Sequence, residues 1–151
     1  MKHVFTWIAA AALLLFTGCE ASIPGDYQDS AGNKINLLGC WGLVEVQYKT
    51  AGVVTRNELT PDMMMEFAQK GIGYSKLTDG TVLDSFHYAI YRGSVTIYTN
   101  EEWENNRGLN EDDSEYERGL TYFFRIIDQD TIASEEWITA NSSVTNVFAR
   151  M

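Results

Sequence analysis

The spacing of its tight turns constrains this chain most. Asp79-Gly80 separates the apolar runs 72–77 and 82–91, and Arg92-Gly93 separates the second of these from 95–98. Asp128-Gln129-Asp130 divides 120–127 from 131–138, and Ala140-Asn141-Ser142 leads into 144–150. The runs are rich in Val, Ile, Tyr, Phe and Thr, the residues that suit a pleated, half-buried surface. Asp-Gly tolerates the positive φ of a two-residue hairpin. A turn that short can join only antiparallel strands.

Earlier in the chain the same reading gives strands at 38–48, 52–55, 63–68 and 72–77. The total is about eight strands in consecutive hairpins, which implies an up-and-down meander. Eight strands can close into a barrel, and closure removes exposed sheet edges. No ten-residue segment after the leader has a clear helical period; the best helix candidate is 101–106. The fold class expected is therefore all-β, an eight-stranded antiparallel up-and-down barrel over 37–151.

Within the first long strand, Gly39-Cys40-Trp41 is followed far along the chain by Phe148-Ala149-Arg150. That pairing resembles the lipocalin-like (calycin) barrels. In that family a Gly-x-Trp opens the first strand and an Arg near the end of the last strand packs over the Trp ring. The resemblance implies a structural signature of Gly39, Trp41 and Arg150, and a small apolar or amphipathic ligand inside the barrel. The want of a helix in the pattern implies a compact variety of that fold.

Residues 1–18 read as a leader. Met1-Lys2-His3 is a short positive start, and 4–16 is apolar except for Thr6, the length of a signal-peptide core. It ends in Phe16-Thr17-Gly18-Cys19, similar to a bacterial lipobox, which implies cleavage before Cys19 and its lipidation. Residues 19–36, rich in turn formers and without a period, are expected to be a flexible tether spanning roughly 20–25 Å. Acidic residues soon after the lipid-bearing Cys resemble lipoproteins of the Bacteroidetes type. Asp29-Ser30-Ala31 and Asp130-Thr131-Ile132 look like the short O-glycosylation motif of that group. The expected address is the bacterial cell envelope, at the outer membrane, on a face left open. Cys40, beside Trp41, is expected to be a small buried hydrophobe.

The net charge is −10, without a basic cluster, which argues against nucleic acid as a partner. Candidate lumen aromatics are Phe67, Phe86, Tyr88, Tyr122, Phe124 and Phe148. Two outcomes stay open: a packed barrel, or a cavity made if Phe123 and Arg125 point inward instead, because alternation does not choose a face. Met63-Met64-Met65 is either ordinary strand packing or part of an adaptable binding mouth.

Residues 101–119 are acidic, with Trp103 and Tyr116 among carboxylates that include Glu111, Asp112 and Asp113. This stretch is a solvated loop or a surface that docks a basic protein partner. Its spacing does not match an EF-hand loop. Neither metal nor cofactor is expected. Beyond the leader the chain has one His, His87, and carries no Gly-x-Ser-x-Gly, His-Glu-x-x-His or phosphate-loop motif. Glu135 and Glu136 are neighbours in a strand and point to opposite faces, so they cannot share one cleft. Binding, rather than catalysis, is the expectation.

Overall fold

The computed structural model describes residues 23–151. The leader and Cys19 lie outside the described residues. A short hairpin comes first: β1 (Asp26–Gln28) and β2 (Lys34–Asn36). The barrel follows as β3 (Gly39–Thr50), β4 (Val53–Glu58), β5 (Met63–Phe67), β6 (Ile72–Leu77), β7 (Val82–Tyr91) and β8 (Ser94–Tyr98). A short α-helix, α1 (Asn100–Asn105), precedes β9 (Leu120–Tyr122), β10 (Phe124–Asp128), β11 (Thr131–Thr139) and β12 (Ser142–Arg150).

The hydrogen-bonded order is β10-β11-β12-β3-β5-β6-β7-β8-β9, with β4 also paired to β3. The two ends of that order, β9 and β10, are one stave interrupted only at Phe123. Likewise β4 and β5 run beside successive halves of β3. Counted this way, eight staves come round to a nearly closed antiparallel barrel. The consecutive order of the staves is the meander that the turn spacing implied.

Register settles which face is inside. Trp41 pairs with Met65 and Arg150, and Phe67 with Gly39 and Gly73. Phe86 faces Gly73 across the next rung, Tyr88 faces Ile97, and Ile90 faces Val95. Phe124, Ile126, Ile132 and Phe148 continue the same face. Directly opposed residues lie on one face of a sheet, so these side chains converge. Trp41, Phe67, Val95 and Ile132 are essentially inaccessible. Phe67 meets Phe86 and Tyr88 edge-on at 6.0 and 4.9 Å between centroids. Gly73 is required here: a Cβ on it would lie 2.1 Å from the Phe86 ring.

One barrel end is sealed by the hairpin β1–β2, which corrects the expectation of a flexible tether as far as residues 26–36 are concerned. Tyr27, Ile35 and Leu37 are buried in the same cluster as Trp41 and Phe124. The Tyr27 hydroxyl lies 2.6 Å from the Gly93 carbonyl and 2.8 Å from that of Phe124, and its one proton can be donated to either. Burial pushes its pKa up to about 12. Asp29 ties the hairpin turn to the wall. Its carboxylate accepts from Ala31 N (3.0 Å), Asn33 N (2.9 Å), Asn33 Nδ2 (3.1 Å) and Ile126 N (3.0 Å). Those donors favour the ionised form, the Ile126 amide most, and hold its carboxyl below the usual range.

The Trp41–Arg150 pair sits at this sealed end. The guanidinium carbon is 4.3 Å from the Trp41 ring centroid. Its Nη1 donates to Leu38 O (2.8 Å) and its Nη2 to Asn36 O (2.9 Å), while Nε is 3.3 Å from an Asp130 carboxylate oxygen. Gly39 has φ +119°, and a Cβ there would lie 3.1 Å from Arg150 Nη1. The glycine thus supplies both a backbone conformation L-residues avoid and room for the arginine.

Cys40 is placed differently from expectation. Trp41 points inward, so Cys40 points outward opposite Glu66 and is partly exposed.

Candidate functional site

The opposite end of the barrel is open. Here the inner positions are polar or exposed: Met63 and Leu120 are each more than half exposed. Between β6, β7, β8, β9 and the start of α1 lies a cavity of about 480 Å³. Its floor is Phe86, Ile97 and Leu120, and its rim is Ser75, Asp84, Thr99 and Glu102. Asp84 pairs with Ser75 and Leu120 with Ile97, which puts all four on the lumen face. Among the described residues neither Lys nor Arg lines this cavity.

The rim owes its shape to α1. Thr99 caps the helix: its hydroxyl accepts from Glu102 N (3.1 Å), and Glu102 returns a carboxylate to Thr99 N (2.7 Å). This capping box stabilises a helix of six residues that would be marginal alone. The sequence reading has only a weak helix at 101–106 and no helix covering an end; α1 stands beside the rim. Its Thr99-x-x-Glu102 spacing is the signal that could have found it. Burial raises the Tyr122 pKa, and Glu136, on the lumen parity of β11, adds to it.

The six candidate aromatics occupy the lumen. Phe67, Phe86, Tyr88 and Phe124 are buried, and Tyr122 and Phe148 are packed against them. Tyr122 stacks parallel on Phe124 at 5.5 Å, and Phe148 meets Phe124 edge-on at 6.0 Å. They fill the sealed half; of the six, only Phe86 also borders the open cavity. Phe123 and Arg125 point outward and are exposed, so the alternative inward pair is not the one adopted. Of the three methionines, Met65 packs on the core, Met64 lies on the outer face opposite Lys76, and Met63 is at the open end.

The acidic stretch folds back on the outer wall. Trp103 stacks flat on His87, 4.7 Å between centroids and 4° between planes, and contacts Tyr98 at 5.7 Å. Asn105 and Asn106 hydrogen-bond to Glu117, closing the loop on itself. The Tyr98 and Tyr116 hydroxyls are 3.1 Å apart. Tyr98's pKa is raised, by burial first and then by Tyr116. A second cleft of about 340 Å³ lies between this loop and the outer face of β7–β9, where Glu111, Asp112 and Tyr116 meet Tyr91 and Tyr98. Asp113 is turned to its own loop, accepting from Asn110 N (2.7 Å). His87 is thereby on the outer wall, across the sheet from the lumen. Among the described residues no group of three or more His, Cys, Asp or Glu is arranged to hold a metal ion.

No family model matches the chain, and the comparison with curated proteins finds no match. Among solved structures, a lipocalin-like protein from Bacteroides uniformis is similar at 19% identity and a TM-score of 0.45. The alignment covers 76% of this chain and 98% of that one. The fold rests on the stave order and register described above: an all-β, nearly closed antiparallel up-and-down barrel, sealed at one end and open at the other.

Proposed function

We propose that the chain is a membrane-anchored lipocalin-like lipoprotein that holds one small amphipathic molecule in the open end of its barrel. Binding, not catalysis, is the task this reading assigns. The observation that carries it is the cavity of about 480 Å³ over Phe86, Ile97 and Leu120. That size falls in the range of small-molecule sites, about 300–1,000 Å³. An apolar floor takes an alkyl or ring portion. A rim with Asp84 and Glu102, and without a lining Lys or Arg, favours a head group that is cationic or donates hydrogen bonds. The anchor is lipidated Cys19, which places the barrel in the bacterial envelope at the outer membrane.

The test is a calorimetric titration with dodecyltrimethylammonium and with dodecyl sulfate, both below their micellar concentrations. The expected result is saturable binding of the cation, severalfold weaker binding of the anion, and loss of that preference in Asp84→Asn. Binding of neither probe overturns the carrier reading. The anchor has its own test: Cys19→Ser is expected to move the protein from the membrane to the soluble fraction.

A second reading uses the outer cleft of about 340 Å³ where Glu111 and Asp112 stand over Tyr91 and Tyr98. It would dock a basic segment of an envelope protein. Replacing residues 105–115 by a short Gly-Ser linker is expected to abolish such a contact and to spare detergent-probe binding.

A further inference from the structure

The barrel has a projecting flap. The distal halves of β11, β12 and β3, with β4, pair beyond the point where β10 and β5 stop. Among the described residues β4 hydrogen-bonds only to β3, and all six of its residues are exposed. Large apolar side chains are bare on and beside it: Val53 is 69% exposed, Val54 47% and Tyr48 47%. A bare edge strand is a template for another strand, and proteins usually blunt it with Lys, Pro or a covering element.

The ladder shows which groups face outward. Leu59 N donates to Val44 O at 2.8 Å, one step beyond the pair Glu58–Glu45. Antiparallel pairs alternate between hydrogen-bonded and non-hydrogen-bonded. Leu59, Asn57, Thr55 and Val53 therefore turn their peptide groups to β3, and Glu58, Arg56 and Val54 turn theirs to the free edge.

Pairing of β4 with itself across a two-fold axis must match outward residues with outward residues, so the axis passes through a residue. On Arg56 it sets arginine against arginine, and on Glu58 glutamate against glutamate. On Thr55 it gives neither charge a partner across the edge, and Arg56 keeps only its own chain's Glu45, 4.0 Å away. On Asn57 it sets Arg56 opposite Glu58 at two symmetric positions, as hydrogen-bonded pairs, with Thr55 opposite Leu59. Directly opposed unlike charges stabilise an antiparallel pair and like charges destabilise it. We propose that β4 is a dimerisation edge, pairing antiparallel with β4 of a second copy of this chain about Asn57. The charge complementarity of that one register carries the inference, which does not rest on the carrier reading.

The register makes a residue-level experiment possible. Opposed residues of a non-hydrogen-bonded pair are about 4.5 Å apart at Cα, within disulfide reach. In the full-length chain, detergent-solubilised and carrying Cys40→Ser, Asn57→Cys is expected to give a disulfide-linked dimer on mild oxidation. Thr55→Cys, which the register places opposite Leu59, is expected to give little more than the parent, which also reports any background from Cys19. Arg56→Glu added to Asn57→Cys is expected to lower the yield about tenfold by creating two Glu–Glu pairs. Adding Glu58→Arg to that variant is expected to restore it. The β4 changes are all on exposed positions and Cys40 is partly exposed, and near-UV circular dichroism checks that each variant folds. Equal crosslinking at 55 and 57, no dimer at either, or a yield insensitive to the charge swap overturns the proposal. An edge occupied by a strand of some other protein gives one of those outcomes.

Discussion

The two ends of the barrel are built from the same kind of strand and come out opposite in character. At the sealed end several inward side chains are held by partners from far along the chain. Trp41 has Arg150 over its face, Tyr27 reaches Gly93 and Phe124, and Asp29 reaches Ile126. At the open end the inward positions Ser75, Asp84, Ile97 and Leu120 surround empty space. Stability is concentrated at the sealed end and room for a guest at the open one. Close packing with satisfied polar groups gives a rigid end, and incomplete filling gives an end able to take a guest.

That contrast can be broken most severely at Trp41. Trp41→Ala removes the ring that both the core and Arg150 pack against, and is expected to cost about 3–5 kcal/mol in urea unfolding. Asp29→Asn comes next. One oxygen becomes an NH2 group that cannot accept, so either Ile126 N or the turn amides of Ala31 and Asn33 lose their acceptor, and the hairpin seal loosens. The sign follows from its lowered pKa: the carboxylate's contribution is present above the unfolded value of 3.8 and fades as pH falls through the lower folded value. The midpoint difference between Asp29→Asn and the parent is therefore expected to be full at neutral pH and to shrink on acidification below that point. A pH-independent difference would show that the effect is steric.

The open end should respond in the other currency. Leu120→Ala, at a side chain 61% exposed, is expected to change stability by less than about 0.5 kcal/mol while weakening cationic-probe binding severalfold. A stability loss comparable to that of Trp41→Ala would mean the two ends are not distinct.

Much of this was legible in the chain. Asp79-Gly80 and Arg92-Gly93 marked the hairpins, and Gly39-x-Trp41 with Arg150 marked the sealed end. The hairpin of Tyr27 and Ile35 was hidden because its strands are three residues long and its apolar residues are few. Their alternation at Ile35 and Leu37 carried the only hint. Cys40 was misread because proximity to Trp41 in sequence means the opposite face in a strand. The stacking of Trp103 on His87 had no local signal, since the two come from different elements.

By itself the sequence determined a meander of short antiparallel strands and the number of staves. Those follow from turn chemistry and residue preference, which act over a few neighbours. The tertiary structure alone decided which face is the lumen, which end is sealed, and where a cavity remains. A period of two reads identically from either face, and packing density is a property of side chains that meet across the whole length of the chain.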